Sequence, residues 1–188
     1  MREIEIKARV KNKEAVISKL AELGCVLGDE LEQRDVVYAR NSNSMQEFLA
    51  NDLFLRVRKT PAETIFTLKY HPNRTENGSP LSMPLEHEVS VSSASEIEAM
   101  LALLGFTPAT ETNKVRRTAH FNDWEICLDE VESLGSFIEV ESLVDHDTEV
   151  GPISEKLTAF IVSLGVLPED IGVKRYDIQL LEKRFSGV

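Results

Sequence analysis

Three segments of this 188-residue chain share one pattern: Glu-x-Glu at the start of a strand-like run, then a helix-like run that ends in Leu-Gly. The first opens at Glu3 and Glu5 and closes at Leu23-Gly24, and the second goes from Glu86 and Glu88 to Leu104-Gly105. A third, partial copy goes from Glu139 and Glu141 to Leu164-Gly165. In the strand-like runs charged residues occupy every second position. A strand points successive side chains to opposite faces, so such a run has one charged face and one apolar face. In the first run Glu3, Glu5, Lys7 and Arg9 take one side and Ile4, Ile6, Ala8 and Val10 the other. The apolar side must be buried, and the charged side must meet water or line a polar cavity.

The rest of the chain continues this grammar. Asn12 is placed to cap a helix over 12–23, with Val16, Ile17, Leu20 and Leu23 at helical spacing before Gly24. Strands are expected over 33–40, 53–59 and 64–70, the last two forming a hairpin about Thr60, Pro61 and Ala62. Between them, 41–52 reads as a polar loop with a short apolar group at Phe48 and Leu49. Residues 71–84 contain three prolines, a glycine and several small polar residues, the composition of an extended, mobile loop. A strand over 85–91 follows, then a helix over 96–104 with Ser95 and Glu98 as its capping box. Strands are expected over 115–121, 124–131 and 136–143, with tight turns at Asn122-Asp123 and Leu134-Gly135. Helices over 153–164 and 174–184 complete the chain, the latter with Tyr176, Leu180 and Leu181 as its apolar residues. About eight mostly antiparallel strands with three or four helices make an α+β fold, expected as a single domain over 1–188.

Composition narrows the partners. Hydrophobic residues make up 42% and charged residues 28%, as in soluble globular proteins. No apolar run approaches the roughly 20 residues of a membrane span, and the charged N-terminal run has no signal-peptide character, so a cytoplasmic location is expected. The net charge of −11 argues against general binding to nucleic acid or to an anionic membrane. Cys25 and Cys127 lack metal-ligand spacing and are too few for a disulfide framework; they are expected to be reduced and buried.

Seven acids (Glu3, Glu5, Glu86, Glu88, Asp129, Glu139, Glu141) and seven bases (Lys7, Arg9, Arg56, Arg58, Lys69, Lys114, Arg116) fall on the charged faces. Leu55 and Val57, Phe66 and Leu68, Val89 and Val91, and Ile138 and Val140 fall on the others. A sheet with helices on its apolar side, and its charged side curled inward, encloses a wet tunnel holding both signs of charge. Buried charge is costly unless paired or bound, so such an interior calls for a strongly charged ligand. Converging Lys and Arg suit a polyphosphate, and clustered carboxylates suit Mg²⁺ or Mn²⁺. Arg9 and Glu88 read as supporting partners rather than direct ligands, and His87 and His120 as structural residues.

Together these motifs resemble the CYTH superfamily, the triphosphate tunnel metalloenzymes. The resemblance is carried by E-x-E-x-K at Glu3, Glu5 and Lys7, L-R-V-R at Arg56 and Arg58, T-L-K at Lys69 and E-x-E at Glu86 and Glu88. It continues through K-x-R at Lys114 and Arg116, the L-D-E-V-E-x-L-G-x-F-I-E-V-E run from Asp129 to Glu141, and the late Tyr176 before Leu180-Leu181. The resemblance implies an eight-stranded antiparallel tunnel β-barrel with helices on its outside. It implies triphosphate binding by Lys7, Arg56, Arg58, Lys69, Lys114 and Arg116, a divalent metal held by Glu3, Glu5, Glu139 and Glu141, and Asp129 as a further member of the catalytic set. Arg175 departs from the Ser that often precedes the tyrosine. Members include class IV adenylyl cyclases, thiamine triphosphatases and inorganic triphosphatases. Chain size and motif spacing look most similar to the class IV cyclases, which turn ATP into cyclic AMP and pyrophosphate and imply a homodimer. A triphosphatase is the alternative, and a non-catalytic polyphosphate or nucleotide sensor is a third reading. Of the aromatic residues near the motifs, Phe54, Phe66 and Tyr70 alternate as core packing does.

Overall fold

The computed structural model describes residues 1–70 and 85–187; the loop expected over 71–84 lies outside the described residues. Among the described residues there are eight strands, five α-helices and one 3-10 turn, and the strand pairs are antiparallel. The chain forms two compact units, one of residues 1–31 and 114–174, the other of residues 32–113 and 175–188.

The first unit contains β1 (Arg2–Val10), α1 (Lys13–Glu22), the later part of β6 (Thr107–Phe121), β7 (Trp124–Val131), β8 (Gly135–Val144) and α4 (Val150–Ser163). Its strand order is β1-β8-β7-β6. Ile4, Ala8 and Val10 of β1, Ile126 and Leu128 of β7, and Ile138 and Val140 of β8 bury the apolar face. Val16 and Leu20 of α1 and Leu157, Phe160 and Ile161 of α4 cover that face. Phe160 also stacks on Phe121 at 5.0 Å and meets the edge of Trp124 at 5.4 Å. Asn12 caps α1 as expected, its side chain accepting a hydrogen bond from Ala15 N.

The second unit contains β2 (Leu31–Ala39), α2 (Met45–Leu49), β3 (Leu53–Lys59), β4 (Thr64–Tyr70), β5 (Leu85–Val91), α3 (Ala94–Leu103), the early part of β6 and α5 (Tyr176–Ser186). Its strand order is β6-β2-β3-β4-β5. Val36, Tyr38, Leu55 and Val57, with Phe66 and Leu68 beside them, pack against Leu101, Ala94 and Ile97 of α3. On the opposite face Val37, Ala39, Ala109 and Phe54 pack against Phe48 of α2 and Ile178 and Leu181 of α5. The second unit therefore has helices on both faces of its strands. The charged side is apolar toward one end, and α2 and α5 cover it there.

Several local expectations shift. The helix-like stretch after Val91 is capped two residues earlier than expected: Ser93 Oγ accepts from Glu96 N, and α3 begins at Ala94. Ser95 instead lies inside the helix, its hydroxyl 3.0 Å from that of Ser93. All three Leu-Gly ends hold: Gly24, Gly105 and Gly165 adopt φ of +80, +83 and +90°, the left-handed conformation that glycine reaches without a Cβ penalty. At two of these ends the next residue bonds back into the last turn, Cys25 N to Leu20 O and Phe106 N to Leu101 O, each at 2.9 Å. Of the two valines expected on the covered side of β5, Val89 is exposed and Val91 half-buried. Cys25 and Cys127 are free and buried. Among the described residues no helix is long and apolar enough to cross a membrane.

Candidate functional site

Strand register decides which charges meet. In the first unit Lys7 stands opposite Glu139 and Glu5 opposite Glu141, while Arg116 stands opposite Asp129 and Cys127 opposite Glu139. Opposed residues share a face at close Cβ separation, and so the sequence pattern becomes a contiguous network. Lys7 Nζ lies 2.8 Å from Glu139 and 3.3 Å from Glu5. Lys114 Nζ donates to Asp129 at 2.7 Å, Arg116 grips both Asp129 oxygens at 2.6 and 2.7 Å, and Arg116 also donates to Glu139. Asp129 is fully buried and Glu139 nearly so.

Burial alone would drive these carboxyls toward the neutral form. It is outweighed. The hydrogen bonds and charge of Arg116, together with Lys114, hold Asp129 below the usual carboxylate range. Arg116, Lys7 and Lys114 hold Glu139 well below it. Burial likewise opposes the charge of Lys7 and Arg116, and their acidic partners raise both.

Glu141 is the opposite case. Burial, reinforced by the negative charges of Glu3, Glu5 and Glu139, pushes its pKa up to about 8. Glu3, Glu5 and Glu141 each offer an oxygen within 4.8 Å of the others, and Cys127, Glu139 and Glu141 form a second such group. Glu141 belongs to both. An all-carboxylate set with surplus negative charge fits a hard divalent cation such as Mg²⁺ or Mn²⁺ by the chemistry of its donors. The thiol of Cys127 is a different ligand type. Burial raises its pKa, and its Sγ lies 3.5 Å from a Glu125 oxygen.

The second unit has its own network. Arg58 makes a two-pronged contact with Asp35 at 2.7 Å on each arm, and Arg56 lies 3.9 Å from the same carboxylate. Arg56 also donates to Thr67 at 3.1 Å and Glu88 at 3.0 Å, and Thr67 donates to Glu88 at 2.6 Å. Lys69 pairs with Glu86 at 2.9 Å. Burial and the neighbouring charge of Arg58 lower the pKa of Arg56, and its buried Nε has no hydrogen-bond partner among the described residues. Three bases, Arg56, Arg58 and Lys69, are thus paired with three acids, Asp35, Glu88 and Glu86.

The structure thus brings Glu3, Glu5, Lys7, Lys114, Arg116, Asp129, Glu139 and Glu141 together in one unit, and Arg56, Arg58 and Lys69 in the other. The Arg9 guanidinium donates to Leu134 O at 2.6 Å and lies 4.7 Å from the centroid of Phe137. Glu88 is a partner to Arg56, and His87 and His120 are exposed. Asp35 and Thr67 were not singled out from sequence. Their signal was available: each shares the strand face of the basic residues opposite it, Asp35 facing Arg58 and Thr67 facing Arg56.

Antiparallel strands thus carry paired acids and bases on one face, with a cluster of carboxylates beside them. The family comparison agrees. The CYTH domain model matches residues 1–176, and the chain belongs to the CYTH family. A Methanocaldococcus jannaschii protein named "Putative adenylate cyclase" is 25% identical over 176 residues, covering 94% of this chain and 97% of its own. The solved PH1819 protein of Pyrococcus horikoshii is 28% identical with a TM-score of 0.76, over 97% of this chain and 100% of that one. The Hippeastrum protein HpAC1, described as revealing a dominant triphosphatase activity, shares the fold at a TM-score of 0.63 and 20% identity, over 98% of this chain and 95% of that one.

Proposed function

We propose that this chain is a divalent-metal-dependent enzyme acting on a triphosphate, with adenylyl cyclase chemistry as the leading reading. The observation that carries the proposal is the group of three carboxylates, Glu3, Glu5 and Glu141, with oxygens within 4.8 Å of one another, beside the Lys7, Lys114 and Arg116 network on the same strand faces. Glu3, Glu5, Glu139 and Glu141 would hold Mg²⁺ or Mn²⁺, which when bound supplies charge neutralisation at phosphate oxygens. Lys7, Lys114 and Arg116 in the first unit, and Arg56, Arg58 and Lys69 in the second, bind phosphate oxygens. Arginine does so with two parallel donors and lysine as a point charge. Asp129 acts through Lys114 and Arg116, fixing where both cations point. In phosphoryl transfer such positioning and charge stabilisation provide most of the catalysis.

A cyclase directs a ribose hydroxyl at the α-phosphorus, and a triphosphatase directs water at the terminal one. The name of the Methanocaldococcus relative supports the first reading, and the activity described for the Hippeastrum protein supports the second. The deciding experiment is incubation with ATP, inorganic triphosphate or thiamine triphosphate under Mg²⁺ and Mn²⁺, with products resolved by chromatography. Cyclic AMP with pyrophosphate is expected from ATP. Orthophosphate instead establishes the triphosphatase, and no turnover of any substrate would leave only a binding protein.

A further inference from the structure

The second unit holds one more charged group on the same side as its cations, and the phosphate cradle does not account for it. Arg175 immediately precedes α5, and its Nε and Nη2 donate to the two carboxylate oxygens of Asp177 at 3.0 and 2.8 Å. Asp177 is 5% exposed. The guanidinium carbon of Arg175 lies 4.8 Å from the centroid of the Phe54 ring. A two-pronged carboxylate contact fixes the plane of a guanidinium, and an aromatic ring beneath it supports one side. The Arg175 side chain remains 45% exposed, which leaves surface for a further contact.

Phe54 is placed where this matters. It lies two residues before Arg56 on the same strand face and directly opposite Lys69. Same-face neighbours along a strand are about 7 Å apart, and residues directly across a strand pair have Cβ atoms about 5 Å apart. A triphosphate held by Arg56 and Lys69 therefore has its non-phosphate end within reach of the Arg175 plane. Asp177 neutralises Arg175, so the pair adds little net charge for phosphate. It adds a flat, preorganised surface.

We propose that Arg175, laid on Phe54 and locked by Asp177, is the platform on which the heteroaromatic base of a nucleoside triphosphate stacks, making this unit selective for nucleotides over inorganic triphosphate. Guanidinium planes stack on nucleobases whatever the base, so the platform confers preference for a base without choosing among bases. The inference rests on the triphosphate reading above and adds to it the residues that would hold the base.

The test is calorimetric titration of wild type, Arg175→Ala, Arg175→Lys and Phe54→Leu with ATP and, separately, inorganic triphosphate, with Ca²⁺ as the supporting cation. Arg175→Lys keeps the charge and loses the plane. Phe54→Leu keeps the apolar packing and loses the ring. In all three variants ATP affinity is expected to fall about tenfold, the effect of losing one stacked base, while inorganic triphosphate binds as in wild type. Equal weakening of both ligands, or of neither, would overturn the platform and make Arg175 an anchor for α5. Wild-type protein that binds neither ligand would overturn the triphosphate reading as well, a failure distinct from the first, in which inorganic triphosphate still binds.

Discussion

Asp129 is the residue on which the cations of the first unit converge, fully buried between Lys114 and Arg116. Removing one partner of a buried ion network leaves uncompensated charge and costs about 3–5 kcal/mol. Asp129→Ala should therefore lower the unfolding free energy measured by denaturant titration by that much, and inorganic triphosphate should recover part of the loss; a change within the range of surface substitutions would contradict the network. Glu141 makes a pH prediction. Its folded-state pKa is raised from the usual 4.5 to about 8, so its contribution to stability is fully present below the lower value and is lost as pH rises through the upper one. Metal-free protein should become less stable as pH rises from about 4.5 to about 8. Glu141→Gln should flatten that slope in thermal melts, and so should saturating Mg²⁺. An identical slope in the variant would assign the pH dependence elsewhere.

At the scale of elements, the N-cap of α3 gives a direct comparison between the expected and the observed boundary. Ser93→Ala should cost about 1 kcal/mol, whereas Ser95→Ala, inside the helix, should cost little; thermal melts of the two variants check the order. This displacement shows what was legible in the sequence. The alternation of β1, β3, β7 and β8 put Glu5, Lys7, Arg56, Arg58, Asp129, Glu139 and Glu141 on one face of their strands, because a buried apolar face strongly specifies the register. The Ser-Ser-Ala-Ser run offered several equivalent caps, and only the helix start chose among them. The early half of β6 was missed because Thr107, Thr110, Thr112 and Asn113 interrupt any apolar alternation, and Ala109 is its one buried apolar residue. α2, five residues long, is too short to show helical periodicity. The pairing of Arg175 with Asp177 and Phe54 was not legible, because it depends on α5 packing on the charged side of the second unit, and an amphipathic pattern does not say which surface it will meet.

For the molecule as a whole, a net charge of −11 coexists with cations concentrated on particular strand faces. Triphosphate binding should therefore weaken as salt is raised, because the cations attract the anion locally. Lys69→Ala and Arg116→Ala should each weaken that binding and make it less dependent on salt, and unchanged affinity in both would count against the phosphate assignment. The central claim joins these cations to the carboxylates as one divalent-metal-dependent activity on triphosphates. It is tested most directly by triphosphate turnover in wild type and Glu5→Ala, with Mg²⁺ or Mn²⁺ and after chelation with EDTA. Glu5 is exposed, and its replacement should leave the fold intact. Wild type should turn over a triphosphate only with the metal, and Glu5→Ala should fall to background. Full activity in the variant, or in the presence of EDTA, would contradict the metal site and the function built on it.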